Sequence, residues 1–408
     1  MESLNQFVNS LAPKLSHWRR DFHHYAESGW VEFRTATLVA EELQQLGYSL
    51  ALGREVVNES SRMGLPDELT LQREFERARQ QGALAQWIAV FEGGFTGIVA
   101  TLDTGRPGPV MAFRVDMDAL DLSEEQDVSH RPYRDGFASC NAGMMHACGH
   151  DGHTAIGLGL AHTLKQFESG LHGVIKLIFQ PAEEGTRGAR AMVDAGVVDD
   201  VDYFTAVHIG TGVPAGTVVC GSDNFMATTK FDAHFTGTAA HAGAKPEDGH
   251  NALQAGSGRN VVPTSALLKV ETRGASDVIN QYVFDRAQQA IQGAATMYGV
   301  GVETRLMGAV TASSPSPQWV AWLQSQAAQV AGVNQAIERV EAPAGSEDAT
   351  LMMARVQQHQ GQASYVVFGT QLAAGHHNEK FDFDEQVLAI AVETLARTAL
   401  NFPWTRGI

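Results

Sequence analysis

The 408-residue sequence predicts an α/β fold: a larger domain with a mostly parallel sheet flanked by helices, and a smaller α+β domain inserted into it. Three observations lead there. Near-continuous apolar runs at 98–102, 110–115, 173–179, 203–207 and 364–368 alternate with segments of helical periodicity, the pattern of strands buried on both faces. Several of these runs stop at residues of metal-binding types, namely Asp116 and Asp118, Glu183 and Glu184, and His208. Parallel sheets collect their ligands beyond the carboxyl ends of the strands, so these side chains are expected to converge on one edge. Finally, from about residue 228 apolar and polar residues alternate as in a half-exposed strand, which marks the start of the second domain.

Taken in order, Phe7, Leu11, Leu15, Trp18 and Phe22 lie three or four apart and predict a first helix. A second is expected from Thr35 to Gly47, a glycine suited to a helix end. Residues 54–92 read as a surface helical insertion, highly charged at 71–79 and apolar at 83–91. The strands at 98–102 and 110–115 follow. After them comes Met145-His146-Ala147-Cys148-Gly149-His150-Asp151-Gly152-His153, which brings a thiol, three imidazoles and a carboxylate together. Cys148 and His150, two apart, point the same way only from an extended segment, so a loop or strand end is expected there, with a helix starting directly afterwards at Thr154. Next come the strand at 173–179, a helix from Gly188 to about Ala195, and the strand that stops at His208. The inserted domain, 223–312, holds strands at 228–237, 266–273 and 302–306 and a long helix at 278–297. Residues 313–408 complete the larger domain begun by 1–222, with a helix from Ser316, the strand at 364–368, the segment Gly375-His376-His377-Asn378 and a final helix from Asp384 to about Leu400.

Composition narrows the functional classes. A formal charge of −17 without any run of lysine or arginine argues against nucleic acid, whose phosphates need concentrated positive charge. The first twenty residues are interrupted by Asn5, Gln6, Asn9, Lys14, Arg19 and Arg20, and no later apolar run approaches membrane-spanning length. The cytoplasm is therefore the expected location and no membrane partner is expected. Cys140, Cys148 and Cys220 are too few and too sparse for a disulfide framework.

Cys148, His150, Glu184, His208 and His377 together offer thiolate, imidazole and carboxylate ligands for two divalent ions, and such a pair supports metal-assisted hydrolysis. Glu183 and Glu184 diverge if the backbone is extended, so one should face a metal and the other the attacking water. A thiolate favours Zn2+, while carboxylates and imidazoles also accommodate Mn2+. His146 and His153 are candidates for hydrogen bonding behind the ligands, and Asp116 and Asp118 for orienting histidines or capping a strand end.

The segments Arg114-Val115-Asp116-Met117-Asp118-Ala119-Leu120, 145–153, Gln180-Pro181-Ala182-Glu183-Glu184-Gly185, His241-Ala242-Gly243 and Phe381-Asp382-Phe383-Asp384-Glu385 resemble the amidohydrolase branch of the metallo-aminoacylase and carboxypeptidase superfamily. The likeness runs nearly end to end and includes Arg19-Arg20-Asp21-Phe22-His23. It implies a cytosolic metal-dependent amidohydrolase acting on a small N-acyl glutamate, with two divalent ions, Mn2+ by resemblance or Zn2+. By position it makes Cys148, His150, Glu184, His208 and His377 the ligands, with His376 as the alternative to His377, and Glu183 the catalytic glutamate. It gives His241 a role at a neighbouring subunit's active site, and Asn260 and Arg273 the substrate carboxylate, for which a guanidinium is well shaped. It implies a lid and dimerisation role for the inserted domain, and as partner either a homologous second subunit, in a heterodimer or higher oligomer, or a second copy in a homodimer. Two other readings are an aminoacylase or peptidase of different acyl specificity, and a subunit inactive without its partner. One departure stands out: where the family has a helix and a strand between the regions like 249–253 and 256–260, Leu253 here joins Gln254 directly. Losing them should expose sheet edges in the smaller domain.

Overall fold

The computed structural model describes residues 3–223, 225–241, 244–245, 248–250, 252, 262–312, 314–340 and 345–404. The chain divides into two compact units, one of Met1–Asn224 with Ser313–Ile408 and one of Phe225–Ala312. In chain order the first unit opens with α1 (Leu4–His24), α2 (Phe33–Gln45), β1 (Ser49–Leu52), α3 (Glu68–Gln80), β2 (Ile98–Asp103), β3 (Val110–Asp116) and the short α4 (Arg131–Arg134). It continues with α5 (His150–Gln166), β4 (Val174–Gln180), α6 (Ala189–Asp194), β5 (Tyr203–Ile209) and β6 (Thr217–Val219). The second unit contains β7 (Ala227–Thr236), β8 (Ser265–Gly274), α7 (Asp277–Tyr298) and β9 (Gly301–Val310). The chain then returns to the first unit with α8 (Pro317–Ala327), β10 (Gln335–Ile337), α9 (Ala349–Gln358), β11 (Gln362–Phe368) and α10 (Gln386–Leu400).

The large sheet has the order β1-β2-β4-β3-β5-β11-β6-β10. Its centre, β4-β3-β5-β11, is parallel, and the apolar runs are buried along almost their whole length because helices cover both faces. The sheet is not parallel throughout: β2 runs antiparallel to β1 and β4. The segment between β2 and β3 is too short for the crossover that a parallel pair needs. The pairing of Asp116 with Gln180, and of His208 with Val367, shows that the polar ends of β3, β4 and β5 lie on one edge.

Helix α5 is buried along nearly its whole length, between the sheet on one side and α1 and α10 on the other. Its glycines make that approach possible. A Cβ on Gly157 would lie 2.7 Å from the Phe179 ring and 2.8 Å from Val115, and one on Gly159 would lie 2.5 Å from Leu15. Charge also ties the ends of the chain to this helix. Fully buried Arg19 on α1 donates from Nε to Asp151 Oδ2 (2.9 Å), from Nη2 to Asp382 Oδ1 (2.8 Å) and from Nη1 to Glu385 Oε1 (3.3 Å). Two segments singled out in the sequence, 19–23 and 381–385, thus meet at Arg19, which also holds Asp151.

In the smaller unit β7 is central, antiparallel to both β8 and β9. Phe231, Ala233 and Phe235, two apart on β7, pack with Ile291 and Ala295 of α7. This core is small, and Leu267 and Leu268 on β8, Leu306 on β9 and Val278, Ile279 and Tyr282 on α7 remain exposed. Asn260 lies outside the described residues. No helix among the described residues is long and apolar enough to cross a membrane.

Because α5 has no free volume where it crosses β3 and β4, Gly157→Val is expected to destabilise the larger unit by about 1–3 kcal/mol through overpacking. Urea unfolding checks this; a midpoint at or above that of the unsubstituted chain would contradict the packing.

Candidate metal centre

The sequence leaves Cys148 and His150 in an extended loop, and the structure corrects this. His150 is the first residue of α5, which begins four residues earlier than expected. Gly149 between them is in the left-handed region (φ 97°), so the chain turns there and the helical divergence of neighbouring positions is avoided. Cys148 Sγ lies 3.5 Å from His208 Nε2 on β5. His208 Nδ1 is 2.7 Å from the Ile209 carbonyl, and His150 Nδ1 is 2.9 Å from that of Asp118. A carbonyl only accepts, so both Nδ1 atoms carry hydrogen, which makes Nε2 the nitrogen that each ring can offer a cation when unprotonated. His150 Nε2 is buried without a hydrogen-bond partner among the described residues.

A second group adjoins the first. Ligand atoms of Cys148, Glu184 and His377 lie within 4.8 Å of one another, as do those of Cys148, His150 and His208. The two groups share the Cys148 sulfur, an arrangement that could hold two cations side by side. His377 has φ 62° and is pinned by its N–H to the Ala147 carbonyl (2.8 Å), which leaves Nε2 3.4 Å from Glu184 Oε1. His376 is engaged differently, its Nε2 accepting from the Thr211 N–H at 2.9 Å. Burial, then Glu184, push the Cys148 thiol well above its usual range, so a cation is what would ionise it.

The loop after β4 carries both glutamates and is strapped by buried carboxylates. Glu32 Oε1 accepts from the Ala182 N–H (2.8 Å), and Asp118 accepts from those of Glu183 (3.0 Å) and Glu184 (2.9 Å). Asp348 Oδ2 accepts from those of Gly188 (3.0 Å) and Ala189 (2.8 Å). These bonds hold Ala182 (φ 51°) and Thr186 (φ 62°) in a left-handed conformation that costs free energy in non-glycine residues. Glu183 is thereby delivered to the site, its Oε2 3.9 Å from His150 Nε2. Burial, followed by the charges of Glu347, Asp348 and Glu184, push its carboxyl well above the usual carboxylate range.

Behind the candidate ligands, His153 Nε2 accepts from the Ile209 N–H (2.9 Å) and its Nδ1 lies 2.6 Å from Asp116 Oδ1. Burial disfavours a charge on Asp116, yet His150, Arg114 and His153 hold it well below the usual range. His146 differs from His153: burial drives it to about 3, and neither ring nitrogen has a hydrogen-bond partner among the described residues. His241 and Arg273 belong to the smaller unit. His241 is exposed and its Nδ1 accepts from the Ala244 N–H at 3.0 Å, while Arg273 on β8 pairs with Glu271. Glu347 and Asp348, next to Glu183, went unnoticed in the sequence. The only available signal was an acidic pair just ahead of a helical segment, which reads as an ordinary helix start.

A family model described as Peptidase family M20/M25/M40 matches residues 112–401. Over 436 aligned positions covering all of both chains, the sequence is 92% identical to a p-aminobenzoyl-glutamate hydrolase subunit of Escherichia coli (strain K12). It is 71% identical, again over all of both chains, to the indole-3-acetyl-aspartic acid hydrolase of Enterobacter agglomerans. Among solved structures, an aminobenzoyl-glutamate utilization protein from Klebsiella pneumoniae superimposes with a TM-score of 0.86 at 61% identity, covering all of both chains. The 436 aligned positions exceed the 408 residues of the chain, so at least 28 of them have no counterpart here.

Since Asp118 receives His150 and the amides of Glu183 and Glu184 together, Asp118→Asn should weaken divalent-metal binding by roughly 10–100-fold, as loss of an orienting partner typically does. Competition titration with Mn2+ and Zn2+ measures this, and an unchanged dissociation constant would remove Asp118 from that role.

Proposed function

From its membership of peptidase family M20/M25/M40, a family of metal-dependent hydrolases to which this chain belongs, we propose that it cleaves the amide of p-aminobenzoyl-glutamate to p-aminobenzoate and glutamate. The observation that carries this reading is the pair of ligand groups sharing Cys148, with Glu183 beside them, in a chain that matches the Escherichia coli hydrolase subunit end to end. The residues suit two divalent ions: a buried imidazole nitrogen without a partner, a thiol that burial keeps protonated, and a carboxylate and second imidazole facing them. Cys148, His150, Glu184, His208 and His377 would hold the ions, Mn2+ or Zn2+. When bound, such a pair supplies an acidified water and a polarised amide carbonyl.

Glu183 then takes a proton from the attacking water and returns it to the amide nitrogen as the C–N bond breaks. Its raised affinity for protons suits a group that must both accept and give one. We assign His241 to the oxyanion of the tetrahedral intermediate at a neighbouring subunit's site, and Asn260 and Arg273 to the carboxylate of the substrate. The smaller unit is read as a lid and dimerisation domain, and the missing positions are placed between Leu253 and Gln254 within it. The relative's description as a subunit favours a partner chain, which the resemblance makes a homologous second subunit or a second copy, and the composition favours the cytoplasm. A second reading, hydrolysis of an indole-3-acetyl conjugate of aspartate, is favoured by the 71% identity to the Enterobacter enzyme. Both readings pair an aromatic acyl group with an acidic amino acid.

The metal-loaded chain, alone and with its partner subunit, is expected to release p-aminobenzoate from p-aminobenzoyl-glutamate faster than indole-3-acetate from its aspartate conjugate; the reverse order would favour the second reading. Glu183→Ala should lower kcat on the order of 10²–10⁴-fold with metal content unchanged, the range typical of a general base. Undiminished turnover at full metal occupancy would exclude Glu183 from the proton transfer.

A further inference from the structure

We propose that Glu347 is a positioning residue for Glu183: it occupies the buried guanidinium of Arg114, which would otherwise draw the Glu183 carboxylate away from the reacting water. The inference rests on the reading of Glu183 given above.

Glu183 is mostly buried, yet its carboxyl accepts no hydrogen bond from the described residues. The end of its side chain is therefore placed by charge and packing. Oxygen atoms of Glu347 and Asp348 lie within 4.8 Å of one of its own, and His150 Nε2 is 3.9 Å away. Glu347 and Asp348 both stand on Arg114, whose side chain is fully buried on β3. Each nitrogen of that guanidinium faces an acceptor. Nε donates to Gln180 Oε1 (2.8 Å) and Nη1 to Asp116 Oδ2 (2.6 Å), while Nη2 lies 3.1 Å from Glu347 Oε1 and 3.2 Å from Asp348 Oδ1. A buried guanidinium with a vacant edge pairs with a carboxylate in reach, because neither group has water as an alternative.

Glu347 is held there independently of Glu183. Its Oε1 also accepts from the Ala349 N–H (3.0 Å) and its Oε2 from the Tyr365 hydroxyl (2.5 Å). Two hydrogen bonds and the ion pair with Arg114 therefore anchor a carboxylate that offers Glu183 no donor in return and repels its ionised form. Asp348 is already fully engaged, its Oδ1 accepting from Arg114 Nη2 (3.2 Å) and Gln180 Nε2 (2.7 Å) and its Oδ2 from the amides of Gly188 and Ala189, so Glu347 supplies the second carboxylate at Nη2. With Arg114 saturated and a like charge behind it, Glu183 is left to face His150.

Glu347→Gln removes the repelling charge and gives Glu183 an amide donor, at nearly unchanged size. With p-aminobenzoyl-glutamate as substrate and Mn2+ supplied, the expected result is a kcat at least tenfold lower, KM within twofold and metal content unchanged, with Glu347→Asp recovering a substantial part of the loss. A crystal structure of Glu347→Gln should show the Glu183 carboxyl hydrogen-bonded to Gln or to Arg114, a readout independent of activity. If Glu347→Gln does not fold, Tyr365→Phe, which loosens Glu347 without altering charge, should show the same selective fall in kcat. Unchanged kcat with an unmoved Glu183, or a fall matched by loss of metal, would overturn the proposal. Glu183→Ala measured alongside separates the failures: an active Glu183→Ala defeats the reading of Glu183, whereas an inactive one beside a fully active Glu347→Gln defeats only the role of Glu347.

Discussion

One carboxylate, that of Asp118, sets the geometry on which the centre depends. It is 1% exposed, just beyond the end of β3, and it receives the amides of Glu183 and Glu184 while lying 3.3 Å from His150 Nδ1. A buried carboxylate without partners would be strongly unfavourable, whereas one that accepts from three donors is stabilised by each. Because those donors come from different parts of the chain, the same atoms that satisfy Asp118 also fix the distance between helix α5 and the loop after β4. The position of His150 relative to Glu184 follows from that distance.

Around this hub two cations lie inside the protein. The chain is strongly acidic, yet Arg19 and Arg114 are fully buried, each among several carboxylates. Apolar replacements of such clusters are often no less stable, so their value here is geometric. Arg19 locks the first turn of α5 to the two ends of the chain, and Arg114 joins the histidine side of the centre, through Asp116, to the glutamate side, through Glu347 and Asp348. The smaller unit has no comparable buried network among its described residues and relies on a small apolar core.

The sequence exposed the parts of this design that have local signatures. The central strands announce themselves by apolar runs, and residues 145–153 by an accumulation of ligand types that packing does not require. The short strands β1, β6 and β10, at or next to the edges of the sheet, are three or four residues long and carry too few side chains to establish a period. Spacing misled at Cys148 and His150 because it presupposes one uniform backbone conformation, and a single left-handed glycine breaks that assumption. Arg114 reads as one more residue in a strand, and Tyr365 as part of an apolar core. Only tertiary structure brings them to Glu347, more than two hundred residues from Arg114.

The bond between Arg19 and Glu385 spans 366 residues, and it bears on how the molecule comes into being. During synthesis α1 emerges long before its partner exists, and Asp348 and His377 follow Cys148 only after a long intervening stretch of chain. Contacts so distant in sequence slow folding, since the entropy of closing the intervening chain must be lost before they form. The nascent protein therefore carries the Cys148 thiol well before His377 exists to face it. A reducing environment would protect that thiol through the interval.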